Sequence, residues 1–211
     1  MTLDDALAEC GLVAILRGVK PEEAVAIGEA LAAAGIRIIE VPLNSPDPFA
    51  SIAALAKSSA GRFLVGAGTV LKPEQVDLLQ AAGGTLSVSP DGSPEVIARA
   101  LKLGLTPLPG VFTPTEAFAA IRAGATHLKL FPAEAASPAV LKAWRAVLPG
   151  NVHLLPVGGI SPDNMGDWLD AGAAGFGIGG SLYKPGDKPK DVGAKAAVLV
   201  AAWEKAKANN S

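Results

Sequence analysis

Short apolar runs rich in β-branched residues alternate along this chain with longer, alanine-rich amphipathic runs, and glycine stands at many of the junctions. Gly35, Gly83, Gly104, Gly124 and Gly172 each follow a helical run and precede a strand-like one. Glycine just past a helix end takes the left-handed conformation that closes the helix. Gly83, Gly104 and Gly124 are spaced 21 and 20 residues apart, the length of one strand plus one helix. A helix between successive strands returns the chain to the same end of the sheet, so the strands run parallel. The pattern predicts eight strands, at Val13–Arg17, Ile36–Leu43, Phe63–Gly66, Thr85–Ser89, Leu105–Leu108, His127–Phe131, Val152–Val157 and Gly175–Ile178. Six of the intervening helices open on a proline flanked by a capping hydroxyl or a carboxylate, at Pro21, Pro73, Pro94, Pro114, Pro138 and Pro162. Eight strands alternating with eight helices predict an α/β fold closed into a (β/α)₈ TIM barrel, a single domain over residues 1–211.

The sixth predicted strand has two unequal faces. With a side-chain period of two, Leu128 and Leu130 face one way, while Lys129 shares the other face with His127 and Phe131. A lysine in apolar surroundings loses its proton readily, because burial penalises the ammonium, and a free amine is the nucleophile that carbonyl substrates need for a Schiff base. A solvated rim lysine is the alternative. Glu40 shares strand parity with Ile36 and Ile38, which predicts that it too points inward. The second and sixth strands contribute to the same layers of a barrel interior, so Glu40 and Lys129 are expected to meet, either as a proton-shuttling pair or as a structural ion pair.

Composition narrows the field. Half the residues are hydrophobic and 18% are charged, and 18 basic against 20 acidic side chains leave a net charge of −2. No strong field favours nucleic acid or an acidic membrane, so any anion must be held by a local site. No apolar run approaches a membrane span and the first residues lack a basic leader, which makes the cytoplasm the expected location. The single cysteine, Cys10, excludes an intrachain disulfide and a cysteine-based metal cluster, and packing is its expected role. His127 and His153 show no metal-ligand spacing with any nearby Cys, Asp or Glu, and they read as packing or surface histidines. Neither a metal nor a cofactor is expected. Trp144, Trp168 and Trp203 fall on predicted helices and are expected to pack.

In a barrel the site lies at the carboxyl ends of the strands. Those ends carry Arg17, Glu40, Thr69, Pro90 and Lys129, followed by Val157-Gly158-Gly159 and Gly179-Gly180-Ser181. Arg17 and Thr69 are candidates for holding a carboxylate, or else a rim residue and a helix cap. The glycines after the last two strands occupy the loops where barrels commonly bind phosphate, and Ser181 is placed to cap a short extra helix facing the anion. Tight turns are the alternative for those glycines.

Glu40-Val41-Pro42-Leu43-Asn44, Val65-Gly66-Ala67-Gly68-Thr69, Lys129-Leu130-Phe131-Pro132-Ala133-Glu134, Pro156-Val157-Gly158-Gly159 and Ile178-Gly179-Gly180-Ser181, in that order, resemble the class I 2-keto-3-deoxy-6-phosphogluconate/6-phosphogalactonate aldolase family. The resemblance implies a metal-free, TIM-barrel homotrimer that reversibly splits a 2-keto-3-deoxy-6-phospho sugar acid into pyruvate and D-glyceraldehyde 3-phosphate. It implies Lys129 as the Schiff-base lysine and Glu40 as the general acid/base. Arg17, Thr69, Pro90 and Phe131 match positions at the pyruvate end, and Gly158, Gly159, Gly179, Gly180 and Ser181 match the phosphate end. Family members acting on the gluconate epimer typically carry arginine at the position of Asn44 and threonine at that of Val157. Both differ here, which looks like the galactonate type, because an isopropyl group removes a hydrogen-bond partner that a hydroxyl would offer the substrate. The gluconate epimer or 4-hydroxy-2-oxoglutarate are the alternative substrates. The turn Ser89-Pro90-Asp91-Gly92 departs from the more apolar form expected of the family. Two other classes share parts of the pattern: a sugar-phosphate isomerase or synthase on the same barrel, and a non-catalytic sugar-phosphate-binding barrel.

Overall fold

The computed structural model describes residues 1–210. Strands and helices alternate as β1 (Leu12–Ile15), α2 (Pro21–Ala33), β2 (Ile38–Pro42), α3 (Pro48–Ser59), β3 (Leu64–Gly68), α4 (Pro73–Ala81), β4 (Leu86–Val88), α5 (Pro94–Lys102) and β5 (Thr106–Leu108). They continue as β6 (Gly110–Val111), α6 (Pro114–Arg122), β7 (His127–Leu130), α7 (Pro138–Arg145), β8 (His153–Pro156), α8 (Met165–Asp170), β9 (Phe176–Ile178) and α9 (Pro189–Asn209), with α1 (Leu3–Glu9) ahead of them all. Every strand pairing is parallel. The order is β5-β4-β3-β2-β1-β9 in one stretch of sheet and β6-β7-β8 in the other.

The two stretches curl toward each other at both ends. At one, β5 and β6 are a single extended segment interrupted at Pro109, whose carbonyl accepts from the Lys129 N–H at 2.8 Å. Proline brings no N–H to a ladder, and the Gly110 N–H donates to the Asp91 carbonyl at 3.1 Å. That is why the predicted fifth strand continues into an additional piece. At the other end, Val157 bridges Gly177 in parallel and the Ala174 N–H donates to Leu154 O at 2.9 Å.

Helix starts follow the proline signals at five of the six predicted positions. Ser93 and Thr113 accept from the N–H three residues on, at 3.5 and 3.3 Å. Pro162 departs: α8 begins only at Met165. Asn164 holds the preceding loop, accepting from the Ser161 N–H at 2.9 Å and donating to Gly159 O at 2.8 Å. Gly124, which ends the turn before β7, has φ of 104°, and Gly35, Gly83, Gly104 and Gly172 are likewise positive.

Two cores result. Leu128 and Leu130 belong to the larger one, between sheet and helices. The smaller lies inside the curl, where Val13, Ile38, Leu86, Val88, Leu108 and Leu155 meet Leu3, Ala6 and Leu7 of α1. Helix α1, a ninth α-helix among the described residues where eight were expected, therefore stoppers the amino-terminal mouth of the sheet, and Thr2 and Asp5 cap it reciprocally at 2.8 and 3.1 Å. Ile36 corrects the parity argument for β2. It sits in the outer core, because the strand starts only at Ile38 and the Ile36 N–H still bonds to Leu31 of α2. Ile38 and Glu40 do share a face.

His127 is buried and His153 half-exposed, in keeping with packing and surface roles. His127 and His153 are register partners on β7 and β8, with rings stacked at 4.9 Å, and Asp4 of α1 approaches both. Sequence spacing could not show this, since Asp4 and His127 lie 123 positions apart. Trp144, Trp168 and Trp203 are buried in the outer core, as is Cys10. Among the described residues no helix is long and apolar enough to cross a membrane.

Candidate active site

Residues at the carboxyl ends of the strands surround a cavity of about 520 Å³. All twelve residues singled out from the sequence line it: Arg17, Glu40, Thr69, Pro90, Lys129, Phe131, Val157, Gly158, Gly159, Gly179, Gly180 and Ser181.

Lys129 reaches its floor from β7 and Glu40 from β2, with 8% and 2% of their surfaces exposed. The two do not form an ion pair, and Glu40 Oε2 has no hydrogen-bond partner. Burial pushes the Lys129 amine below its ordinary range against the opposing pull of Glu40, and the positive charge of Arg17 pushes the same way as burial. Burial likewise pushes the Glu40 carboxyl up, against Lys129 and Arg17. Both shifts favour the uncharged forms, so amine and carboxyl can exchange protons at modest cost. The Lys129 ammonium position lies 4.5 Å from the centre of the Phe131 ring. The Glu40 carboxyl lies over β3, where a Cβ on Gly68 would stand 2.7 Å from Glu40 Oε2. The absent side chain at residue 68 is what leaves room for it.

Arg17 follows β1, and its guanidinium donates to Asn44 Oδ1 at 2.5 Å. The next N–H, of Gly18, donates to Ser45 Oγ at 2.9 Å, so the loop after β2 holds the arginine over the cavity. Thr69 has φ of 59°, an uncommon backbone for a threonine, at the turn after β3. Pro90 packs its backbone against Gly110, where a Cβ would collide with Pro90 O. The departing turn Ser89-Gly92 is thus seated on the break between β5 and β6.

At the far side, Gly158 and Gly159 both have positive φ, of 107° and 68°. The backbone N–H groups of Gly159, Gly180 and Ser181 have no protein acceptor among the described residues. Three free donors in two neighbouring loops suit an anion. Ser181 does not cap a helix. Residues 180–182 form a turn, closed by the Leu182 and Tyr183 N–H groups donating to Gly179 O at 2.9 and 3.1 Å. Tyr183, buried, anchors that turn by donating from its hydroxyl to Glu23 Oε1 of α2 at 2.8 Å.

Sequence reasoning assigned no role to Glu134, which the cavity includes. Its carboxylate occupies the space that a Cβ on Gly158 would need. The signal was its position five residues after Lys129, but only the curl of the chain through the short 3₁₀ turn at Ala133–Ala135 brings it to the glycines. Ile15, Ile160 and Ile178 complete an apolar wall.

A parallel α/β sheet thus holds a buried amine and a buried carboxyl at its carboxyl-terminal mouth, a nucleophile and a proton carrier within one cavity, as an aldolase requires. Residues 3–196 match the model of the KDPG and KHG aldolase family, and the chain belongs to that family. Among curated relatives, it is 50% identical over 193 residues to a probable 2-dehydro-3-deoxy-6-phosphogalactonate aldolase of Rhizobium meliloti (strain 1021), covering 92% of this chain and 91% of the relative. It is 47% identical over 195 residues to the 2-dehydro-3-deoxy-6-phosphogalactonate aldolase of Escherichia coli (strain K12), covering 92% of this chain and 95% of the relative. A solved structure described as native KDPGal superimposes with a TM-score of 0.91 at 46% identity, over 93% of this chain and 96% of the other.

Proposed function

We propose that this chain is a class I aldolase that reversibly cleaves 2-dehydro-3-deoxy-6-phosphogalactonate to pyruvate and D-glyceraldehyde 3-phosphate. The observation that carries the reading is the burial of Lys129 beside Glu40 at the floor of a cavity with a guanidinium at one side and free backbone donors at the other. Its scaffold, in this reading, is one closed (β/α)₈ barrel, the two stretches of sheet joined through Pro109 and the Val157–Gly177 bridge.

The uncharged Lys129 amine attacks the substrate C2 carbonyl, the protonated Glu40 carboxyl gives its proton to the carbinolamine hydroxyl, which leaves as water, and a protonated imine forms beside the Glu40 carboxylate. Glu40 takes the proton of the C4 hydroxyl as the C3–C4 bond breaks, and the bonding electrons pass into the imine to give an enamine. The aldehyde departs, Glu40 returns the proton to C3, and water hydrolyses the protonated imine to pyruvate and free lysine, the released proton going back to Glu40. The electron sink lowers the barrier to cleavage. Arg17 and Thr69 orient the pyruvate carboxylate, with Pro90 and Phe131 as walls. Gly158, Gly159, Gly179, Gly180 and Ser181 hold the phosphate, converting remote binding energy into alignment. Val157, 7% exposed, offers the substrate a methyl surface where a hydroxyl would select the other epimer, which supports the galactonate substrate.

The assembly proposed is a homotrimer working in the cytoplasm. Leu71, Leu78, Leu101 and Phe112 support a protein-facing surface, since they stand exposed on or beside the successive helices α4, α5 and α6. The buried free thiol of Cys10 suits a reducing compartment.

Borohydride added with pyruvate is expected to leave one reduced adduct per chain, on Lys129, located by peptide mass mapping. Adduct formation that persists unchanged in Lys129→Ala overturns the mechanism. Pyruvate release from both C4 epimers tests the substrate, and faster turnover of the gluconate epimer overturns that choice.

A further inference from the structure

We propose that Asp4, His127 and His153 form a binding site for one divalent transition-metal ion of the zinc, cobalt and nickel kind, at the amino-terminal mouth of the sheet. The donors are two imidazoles and one carboxylate, a set that suits such ions and is poor for magnesium or calcium. One donor atom from each residue lies within 4.8 Å of the other two. Asp4 Oδ1 is 2.9 Å from His127 Nε2 and 3.6 Å from His153 Nε2. Donors around a tetrahedral ion at bond lengths of about 2.0–2.1 Å stand roughly 3.3 Å apart. The two Asp4 separations lie within about 0.4 Å of that, and the histidine nitrogens close from at most 4.8 Å by movement of side chains with room to shift: those of Asp4 and His153 are 66% and 42% exposed.

Three further observations favour an ion over mere packing. First, the strand register puts His127 directly opposite His153, so parallel pairing fixes both imidazoles on one side of the sheet. Second, Thr126 Oγ1 lies 3.1 Å from His127 Nδ1. A hydroxyl oxygen accepting from Nδ1–H leaves the Nε2 lone pair for a metal, the second hydrogen bond that metal-bound histidines commonly make. When the ion binds, the Nε2 proton shared with Asp4 leaves, either to Nδ1, with the Thr126 hydroxyl turning from donor to acceptor, or to water from a doubly protonated ring, and the Asp4 carboxylate exchanges that hydrogen bond for the ion. Third, a cavity of about 480 Å³ opens beside Asp4 and His153, walled by Leu7, Ala173 and Trp203, with space for water at the remaining coordination positions. The ion would fasten α1 to the starts of β7 and β8 and takes no part in cleavage.

The test uses the full chain without a polyhistidine tag, stripped by a chelator and titrated with Co²⁺ alone. Expected is saturation at one ion per chain, with visible d–d absorption from a low-coordinate nitrogen and oxygen site and a rise in melting temperature. In Asp4→Ala, at an exposed position, and His153→Ala, at a half-exposed one, both checked for folding by circular dichroism, Co²⁺ affinity falls at least about tenfold. Failure of the unmodified chain to saturate at one ion, or affinity unchanged in both variants, overturns the proposal. Pyruvate trapping at Lys129 is independent of either result, so this site and the aldolase reading stand or fall separately.

Discussion

At the scale of single residues, the floor of the cavity is a negotiation among three charges. Glu40 raises the proton affinity of the Lys129 amine, and Arg17 lowers it. Removing each charge must therefore move the amine in opposite directions. The pH profile of pyruvate trapping by borohydride is expected to shift to lower pH in Glu40→Gln and to higher pH in Arg17→Gln, and shifts of the same sign would contradict this electrostatic account. Glu40→Gln is also expected to slow cleavage about 10²- to 10⁴-fold, the usual worth of a positioned proton carrier, measured as pyruvate release. Stability follows the same logic. Because the folded amine titrates below 10.5, the unfolded chain binds more protons between that lowered value and 10.5, and stability rises with pH across this window. Below the window the buried ammonium exacts its full penalty. Glu40 has the opposite sign: its favourable contribution is complete below 4.5 and fades as pH climbs through its raised value. Lys129→Met removes the titrating amine, so the rise of stability with pH across this window is expected to disappear, read by thermal melting at a series of pH values.

At the scale of elements, helix α1 matters more than its seven residues suggest. Leu3, Ala6 and Leu7 fill the hollow that the curled strands leave at their starts. Leu7→Ala is expected to cost about 2–4 kcal/mol, visible in denaturant titration, while pyruvate trapping at the other mouth proceeds normally in the folded fraction. Much of this layer was legible in the sequence. The two faces of β7 separate as the period-of-two pattern demands, Leu128 and Leu130 outward and Lys129 inward, because a strand fixes side-chain direction by parity alone. Parity failed at Ile36, which precedes its strand, and proline at the first turn failed to start α8, where the Asn164 side chain holds the loop open. What local pattern could not carry was any contact made by the curl itself. Asp4 against His127, Glu134 against Gly158, and α1 against the strand starts all join distant segments.

At the scale of the whole molecule, the fold separates two mouths. One is open, lined by polar loops, and holds Lys129 and Glu40. The other is filled by α1 and carries Asp4 beside the paired histidines. The final helix α9 returns to that filled end, where Lys207 Nζ donates to Ala8 O at 2.6 Å. Both ends of the described chain thus gather at the pole facing away from substrate. Attaching the protein to a bead or electrode through either end should leave turnover per molecule close to its value in solution, whereas attachment through Phe112 or the loop at Gly180 should depress it. The molecule comes already oriented for immobilisation, its handle at one pole and its workbench at the other.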